Sequence, residues 1–298
     1  MHSSDEDTDA IPALPIINEA LAVTAEQWRR LLAWAAPPLS VGLVLAVLSP
    51  SDLPAGYGGA LDVAKYVALW LWVPCSVRIY RLTVLGELPH TAYARQLFEA
   101  RAWRYVLKSF LAYAQLALLM MPIMAVAMTI LFSLQDRLGY AGRTEAMFAS
   151  PYYMLALGLS ILLALVPMAN RLVLIGPDAA VDGVASLSRI GQRSGPHRWL
   201  IVKGTVLIWA LPTLLSGAAL LLTLTCGNLP PLVFRAVTVC DFLVSGVASL
   251  VWRVAGGLVY KRVSAEWPVQ DAAEQEERDK RLQLRSAKPF VPPPAREP

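Results

Sequence analysis

Three ionisable side chains lie inside stretches of the sequence that are otherwise apolar. Asp62 and Lys65 stand three residues apart, a spacing that places both on one face of a helix. Asp241 lies well inside the last apolar stretch. Because a charge in hydrocarbon costs about 3 kcal/mol on insertion scales, such residues indicate either a functional site or a specific pairing. Two roles are open: a polar cavity for a proton or solute, and an interhelical pair of Lys65 with Asp241, which we favour.

Two further carboxylates, Asp178 and Asp182, stand four residues apart and could hold a metal ion. A simpler interpretation exists, because Gly176-Pro177-Asp178 has the composition of a helix start, with proline in the first turn and an acid near the positive end of the helix dipole. Asp182 would then face solvent. We therefore predict no metal at this pair.

Sequence signatures of enzymes are missing. The chain has no His-Glu-x-x-His, no Gly-x-Ser-x-Gly, no phosphate-binding glycine loop and no paired-cysteine site. None of the histidines, His2, His90 and His197, has a cysteine or carboxylate at ligand spacing. The sequence therefore predicts no catalytic residue, no cofactor and no metal, and hence a protein that is not an enzyme.

Six apolar stretches must position these residues, and each is long enough to cross a bilayer. A hydrocarbon core about 30 Å thick needs about 20 helical residues. Hydrophobic residues make up 56% of the chain and charged residues 16%, proportions that few soluble domains show. The predicted fold is an all-α, polytopic membrane bundle of about six transmembrane helices. The spans are residues 31–48, 60–77, 105–134, 152–170, 199–225 and 232–259.

Basic residues predict the orientation of this bundle. If the N-terminus is cytoplasmic, fifteen Lys and Arg residues flank the spans on the inner side and only three, Arg137, Arg143 and Arg235, on the outer side. Because cytoplasmic loops are enriched in Lys and Arg, we expect a multi-pass protein of a bacterial inner membrane with both termini in the cytoplasm. The net charge of +4 then indicates contact with anionic lipid headgroups and not with nucleic acid.

The first span is the least regular of the six. Pro37 and Pro38 remove two backbone donors, so we expect a kink there. Upstream, Thr24 and Gln27 fit a capping box, which predicts a helix that begins at Thr24. If the prolines break the helix instead, this segment lies in the interface and five spans remain, with the termini on opposite sides.

Two inner loops carry apolar and basic residues at helical spacing. Residues 93–104 and 181–193 predict two amphipathic cytoplasmic helices that lie in the interface, although linkers with incidental periodicity are the alternative. Arg253, in the last span, is expected to extend toward the same headgroups. The candidate headgroup-binding residues are Arg95, Arg101, Arg104, Arg189, Arg193 and Arg198.

The two hairpins that contain these loops resemble each other. Pro74, Arg78, Arg95, Arg104, Lys108 and Pro122 match Pro167, Arg171, Arg189, Arg198, Lys203 and Pro212 at offsets between 90 and 95 residues. A repeat of the same sense predicts two similar hairpins related by an axis along the membrane normal. Coincidence is the equal alternative, because arginine is common in inner loops.

Two segments also resemble a known group of proteins. Arg81–Pro89 (Arg-Leu-Thr-Val-Leu-Gly-Glu-Leu-Pro) and Arg171–Arg198 are similar to segments of uncharacterised, largely alphaproteobacterial inner-membrane proteins and of the membrane domain attached to some glycerophosphodiester phosphodiesterases. The likeness covers residues 70–215. The phosphodiesterase domain with its metal-binding acids is absent from this sequence. The resemblance therefore implies a helical bundle with a non-catalytic role in the membrane.

Polar tails flank the predicted membrane domain, residues 16–263. Residues 1–15 are expected to be disordered, and residues 264–298 to form a charged, proline-rich cytoplasmic tail. This tail could bind a cytoplasmic partner, although a spacer without a ligand is favoured. Small residues of the last span, including Gly256 and Gly257, suit close helix packing, either within the chain or across a homodimer.

These features predict a non-catalytic integral membrane protein that organises lipid or partner proteins through a basic cytoplasmic surface. The first alternative is a transporter of a small or amphipathic solute that uses Asp62, Lys65 and Asp241. A phosphodiester-lipid enzyme is a distant third. Substrate, partners and oligomeric state do not follow from the sequence.

Overall fold

A computed structural model describes residues 13–47, 58–88, 91–134, 137, 151–183, 185–226 and 231–268. These residues are helical apart from short connections and form no strand, so the all-α prediction is confirmed for them. The helices are α1 (Ala13–Glu26), α2 (Trp28–Val47), α3 (Gly58–Leu85), α4 (Tyr93–Gln96), α5 (Ala100–Leu134), α6 (Pro151–Ala180), α7 (Leu187–Arg193), α8 (Arg198–Cys226) and α9 (Pro231–Ala265).

Six of these helices are long and apolar enough to cross a membrane, as predicted: α2, α3, α5, α6, α8 and α9. A helix satisfies its backbone N–H and C=O groups internally, which the hydrocarbon interior requires. The chain is therefore a multi-pass membrane protein. Helix α2 continues through Pro37 and Pro38, which agrees with six spans and not with the five-span alternative.

The chain divides into two compact units, residues 1–261 and Arg262–Pro298. The second unit begins within α9, and there the Glu266 N–H donates to the Val263 carbonyl (3.2 Å). From residue 269 onward the predicted charged tail lies outside the described residues. The side chains of the candidate site belong to the first unit.

Six helices of the first unit differ in how much of their surface is buried. We call three of them inner helices because they are mostly buried, and three outer helices because they are mostly exposed. More than half of the span residues are buried in α3, α6 and α9, but fewer than a fifth in α2, α5 and α8. The inner helices end and the outer helices begin at the same end of the bundle, which we call the basic end because it carries Arg81, Arg101 and Arg198. The core lies here, since residues 73–80 of α3 and 173–180 of α6 are buried throughout.

Exposed tryptophans mark the basic end. Trp28, Trp103 and Trp199 lie near the starts of α2, α5 and α8, and they are 51%, 54% and 62% exposed. Tryptophan is enriched where a membrane meets water, because its ring is apolar and its N–H is polar. Their common level predicts that the basic end lies at an interface.

Helix α1 was not expected. Thr24 lies inside it and donates its hydroxyl to the Ala20 carbonyl (2.6 Å), so the prediction of a helix start at Thr24 is wrong. Helix α1 overlaps the predicted disordered tail at residues 13–15, whereas residues 1–12 lie outside the described part of the chain. It buries Ile16 and Ala20 and packs against α8. Tertiary packing of this apolar stripe, and not a cap, stabilises it.

The helices of the inner loops are shorter than predicted. Helices α4 and α7 have four and seven residues, and residues 100–104 of the first predicted surface helix belong to α5. The predicted helix start at Gly176-Pro177-Asp178 is wrong, because α6 continues through it to Ala180. Helix α7 begins after Ser186, whose hydroxyl accepts from the Arg189 N–H (3.2 Å) and so caps the first turn.

Candidate functional site

A buried carboxylate at the basic end connects three helices. Asp178, in the last turn of α6, is 1% exposed. Its Oδ2 accepts from Lys108 Nζ of α5 (2.6 Å), and its Oδ1 accepts from the Tyr260 hydroxyl of α9 (3.0 Å). Lys108 also donates to the Gly183 carbonyl (2.8 Å). We call these groups the Asp178 network. Its hydrogen bonds compensate the cost of burying the charge pair. Asp178 therefore acts as a buried ion-pair partner and not as an acid at the start of a helix.

Helix α6 ends at an unusual residue. Asp182 has a φ of 63°, the left-handed conformation in which glycine is preferred. The Gly183 N–H donates to the Asp178 carbonyl (2.8 Å), the pattern of a Schellman cap. A residue with a side chain at this position suggests that the side chain has a role of its own.

The Asp182 carboxylate gathers three arginines, which with it form the Asp182 cluster. Its oxygens lie 2.9 Å from Arg101 Nε, 3.2 Å from Arg104 Nη2 and 3.4 Å from Arg81 Nη1. Asp182 is thus an ion-pair centre, and the prediction that it simply faces solvent is wrong. Arg81 also pairs with Glu87. The Arg101 and Arg104 side chains are 42% and 46% exposed, so both remain accessible to a further anion.

The candidate headgroup arginines separate by exposure. Exposed or half-exposed are Arg95, Arg101, Arg104, Arg189 and Arg198. Arg193 is only 7% exposed, so its prediction as a headgroup ligand is wrong. It lies in α7, which packs against α6 and also buries Ile190 and Gly191.

Arg78 holds α4 against α3. Its Nε donates to Gln96 Oε1 (2.7 Å) and its Nη2 to the Thr91 carbonyl (2.8 Å). Its guanidinium carbon lies 5.1 Å from the centre of the Tyr93 ring. Burial raises the pKa of the Tyr93 phenol, so the phenol stays neutral and donates a hydrogen bond to the Leu71 carbonyl. Arg78 is therefore occupied within the fold and is not a headgroup ligand.

The predicted intramembrane cluster does not assemble. Lys65 Nζ lies 2.8 Å from Asp62 Oδ1 on the same helix, and both side chains are 64% exposed. Asp241 Oδ1 accepts instead from the Ser216 hydroxyl of α8 (2.7 Å). The prediction of a Lys65–Asp241 pair is wrong, because comparable depth does not make two helices present these residues to each other.

Arg253 is a partly buried charge, and the prediction that it extends toward the headgroups is wrong. It does not extend toward the headgroups but turns to α3, where its Nε donates to the Ser76 hydroxyl (2.7 Å). Its Nη1 donates to the Ser249 carbonyl (2.8 Å), and its guanidinium carbon lies 4.4 Å from the centre of the Trp72 ring. Ser76 in turn donates to the Trp72 carbonyl (2.8 Å).

Beside Arg253 lies a cavity of about 270 Å³ between α3, α5, α6 and α9. We call it the tyrosine cavity. Its polar lining consists of Ser76, Tyr80, Tyr105, Ser109, Tyr113 and Arg253. A signal for it exists in the sequence, because Tyr105, Ser109 and Tyr113 follow one another every four residues, as do Ser76 and Tyr80. That spacing puts hydroxyl groups on one face of an otherwise apolar helix.

Metal chemistry finds no support within the described ranges, where no three His, Cys, Asp or Glu side chains come close enough to hold an ion. No protein family, curated protein or solved structure matches this chain. The resemblance noted for residues 70–215 therefore stays a prediction.

Proposed function

We propose that this multi-pass membrane protein is non-catalytic and binds anionic lipid headgroups at its basic end, thereby organising lipid or partner proteins. The observation that carries the proposal is the coincidence of exposed arginines with exposed tryptophans at one end of the bundle. Arg95 and Arg189 are exposed there on the two short helices. A guanidinium binds phosphate through two parallel hydrogen bonds, and each basic residue near an anionic surface contributes about 1 kcal/mol.

The Asp182 cluster supports the same function. One carboxylate orients Arg101 and Arg104 while leaving both half-exposed. A positioned side chain loses less conformational freedom when it binds a ligand. The cluster is therefore suited to present two guanidinium groups together to a phosphate.

The membrane and its orientation are part of this proposal. We propose a bacterial inner membrane with both termini in the cytoplasm, because the excess of basic residues at one end follows the positive-inside pattern. The resemblance to membrane domains attached to phosphodiesterases supports a non-catalytic role. A cytoplasmic partner for the tail from residue 264 onward stays a prediction, with a spacer without a ligand favoured.

Lipid selectivity tests the proposed function. Spin-labelled phosphatidylglycerol and phosphatidylcholine are compared for association with the reconstituted chain by electron paramagnetic resonance at low salt. The variant R95Q/R189Q removes two exposed charges. In this variant, the preference for phosphatidylglycerol over phosphatidylcholine is expected to fall about threefold or more. The control R235Q, at the far end of α9, is expected to keep the preference, and an unchanged preference in R95Q/R189Q contradicts the proposal.

Transport of a small or amphipathic solute is the second candidate function. The tyrosine cavity favours it, since a polar cavity between membrane helices could admit a solute. The residues involved would be those of the cavity and not the set Asp62, Lys65 and Asp241, because Asp62 and Lys65 pair with each other whereas Asp241 binds Ser216. Uptake of an anionic amphiphile into proteoliposomes that is lost in Ser109→Leu would support transport over lipid binding alone.

A further inference from the structure

We infer that the tyrosine cavity binds one phosphate-bearing ligand, the headgroup of an anionic membrane lipid, through Arg253. This inference rests on the proposed function and deepens it, because it adds a single site between helices to the open surface of the basic end. The ligand class follows from the charge, the hydroxyl donors and the opening of the cavity.

Arg253 lacks a counter-ion. Among the residues that the structure describes, its Nε and Nη1 bind hydroxyl and carbonyl oxygens, and no carboxylate forms an ion pair with it. Its Nη2 has no hydrogen-bond partner in the same part of the chain. An arginine inside a membrane span is costly and pairs with an anion where one is accessible. The charge balance of the cavity is completed by an anionic ligand.

Two contacts fix Arg253 in place before any ligand binds. Trp72 lies against the guanidinium plane, and Ser76 accepts from Nε while donating to a backbone carbonyl. Stacking on tryptophan and a fixed hydrogen bond leave the guanidinium few alternative positions. The group that remains, Nη2, is a donor of the kind that phosphate oxygens accept.

The opposite wall of the cavity supplies hydroxyl donors. The hydroxyl groups of Tyr105 and Ser109 have no hydrogen-bond partner within the described ranges. Both line the cavity together with Arg253. A cavity of about 270 Å³ has room for a phosphate and the atoms next to it.

The opening of the cavity favours a lipid over a solute. Leu69 of α3 and Tyr113 of α5 line the cavity and are 65% and 63% exposed. Both lie on membrane-spanning helices, on the side of Ser76 and Ser109 away from the basic end. A headgroup at Arg253 would therefore leave its acyl chains to pass between Leu69 and Tyr113 into the bilayer. A soluble anion gains nothing from such a side opening.

The test is the melting temperature of the full chain in neutral detergent, with phosphatidylglycerol, phosphatidylcholine or inorganic phosphate added at 0.05 and 0.5 M NaCl. High salt screens the exposed arginines, but it screens an enclosed pair much less. At 0.5 M NaCl we expect phosphatidylglycerol, at 100 times its Kd, to raise the melting temperature of the wild type by about 4 °C. We expect no rise with phosphatidylcholine.

Three variants separate the cavity from the surface. Ser109→Leu fills the cavity without breaking a hydrogen bond of the described residues, and R253Q removes the charge; both are expected to lose the shift at high salt. Ser133→Leu, the same change near the far end of α5, keeps it. R95Q/R189Q also keeps it, so that failure of the surface proposal and failure of the cavity proposal give different results.

The results show whether the ligand is a lipid or a soluble anion, and whether it binds in the tyrosine cavity. A shift at high salt with inorganic phosphate, equal to that with phosphatidylglycerol, overturns the lipid assignment in favour of a soluble anion. A shift that Ser109→Leu and R253Q retain in full overturns the site. The absence of any shift at high salt in the wild type overturns the inference, whatever the selectivity of the basic end.

Discussion

The two hairpins of the bundle, α3–α4–α5 and α6–α7–α8, share one order of helices but contribute opposite partners to the ion pairs between them. In both, a long helix, a short helix and a long helix follow in that order, and the first helices begin at Gly58 and Pro151, 93 residues apart. The first hairpin supplies the cations Arg81, Arg101, Arg104 and Lys108. The second supplies Asp178 and Asp182. The hairpins resemble each other in topology, and the ion pairs between them join cations of the first to two carboxylates of the second.

The two hairpins also fix their short helices differently. In the first, the charged Arg78 reaches Gln96 of α4. In the second, the neutral Asn170 is fully buried and donates to the Gly191 carbonyl (3.1 Å) and to the Ser194 hydroxyl (2.9 Å). The helix ends differ in the same way, since glycine at position 86 ends α3 with a φ of 70°, whereas an aspartate does so in α6. Repetition therefore explains the backbone, but not which side chain acts where.

The largest effect is expected from Asp178→Asn. The change leaves Lys108, whose side chain is 21% exposed, without its partner, and breaking a buried pair costs about 3–5 kcal/mol. Thermal unfolding in detergent measures it. The double variant D178N/K108M is expected to be more stable than the sum of the single changes predicts. Additive single effects would show that the hairpins are not coupled through this pair, and D62N, in an exposed pair, should cost under about 1 kcal/mol.

Close packing of α9 distinguishes the two hairpins next. A methyl group at Gly257 would overlap the Thr83 hydroxyl of the first hairpin, whereas one at Gly256 would lie 3.5 Å from Val173 of the second. Gly257→Ala is expected to cost about 1–3 kcal/mol and Gly256→Ala less than 1. Equal unfolding temperatures for the two variants would contradict the closer approach of α9 to the first hairpin.

Removal of the side chains that hold the short helices should act locally. Asn170→Ala leaves buried polar groups of α7 unpaired, at a cost of about 1–2 kcal/mol. Hydrogen exchange is expected to rise about tenfold in residues 186–194 and not in 91–96. Arg78→Gln should give the reverse pattern. Exchange that rises in both segments would show that the short helices unfold together.

The smallest effect is expected from Asp182→Asn. Asparagine tolerates the left-handed conformation. The Asp182 side chain is 34% exposed, so water screens the ion pairs that the change removes. The expected cost is under about 1 kcal/mol, and it should shrink as salt is raised from 0.05 to 0.5 M. A large, salt-independent loss would mean that the cluster stabilises the fold instead of presenting arginines.

The spans could be predicted because length and apolar composition alone decide whether a helix can cross a bilayer. Helix α1 could not, since its apolar stripe is stabilised by packing against other helices, mainly α8, which the sequence does not place beside it. The end of α6 resembles a helix start in the sequence, because proline and aspartate are typical of a first turn. Here Asp178 lies in a last turn, where Lys108 of α5 pairs with it.

Partners across helices were harder to predict than the helices themselves. Lys65 and Asp241 lie at comparable depth, but depth does not state which helices are neighbours or how they are rotated. Arg253 can either extend to an interface or turn inward, and only Ser76 and Trp72 on α3 decide between the two. The hydroxyl stripe of Tyr105, Ser109 and Tyr113 was visible in the sequence and would have located the cavity wall.

Helices α4 and α7, in the two connecting loops, are expected to lie at one membrane face. Single cysteines test this in a Cys226→Ser/Cys240→Ser background, which keeps only the buried Cys75, when they are labelled in sealed vesicles with a thiol reagent that does not cross membranes. Exposed positions in α4, α7 and α3 are Ala94, Ser188 and Gly59. We expect Ala94→Cys and Ser188→Cys to react from the same side and Gly59→Cys from the other. Reaction of Ala94→Cys and Ser188→Cys from opposite sides would contradict the account.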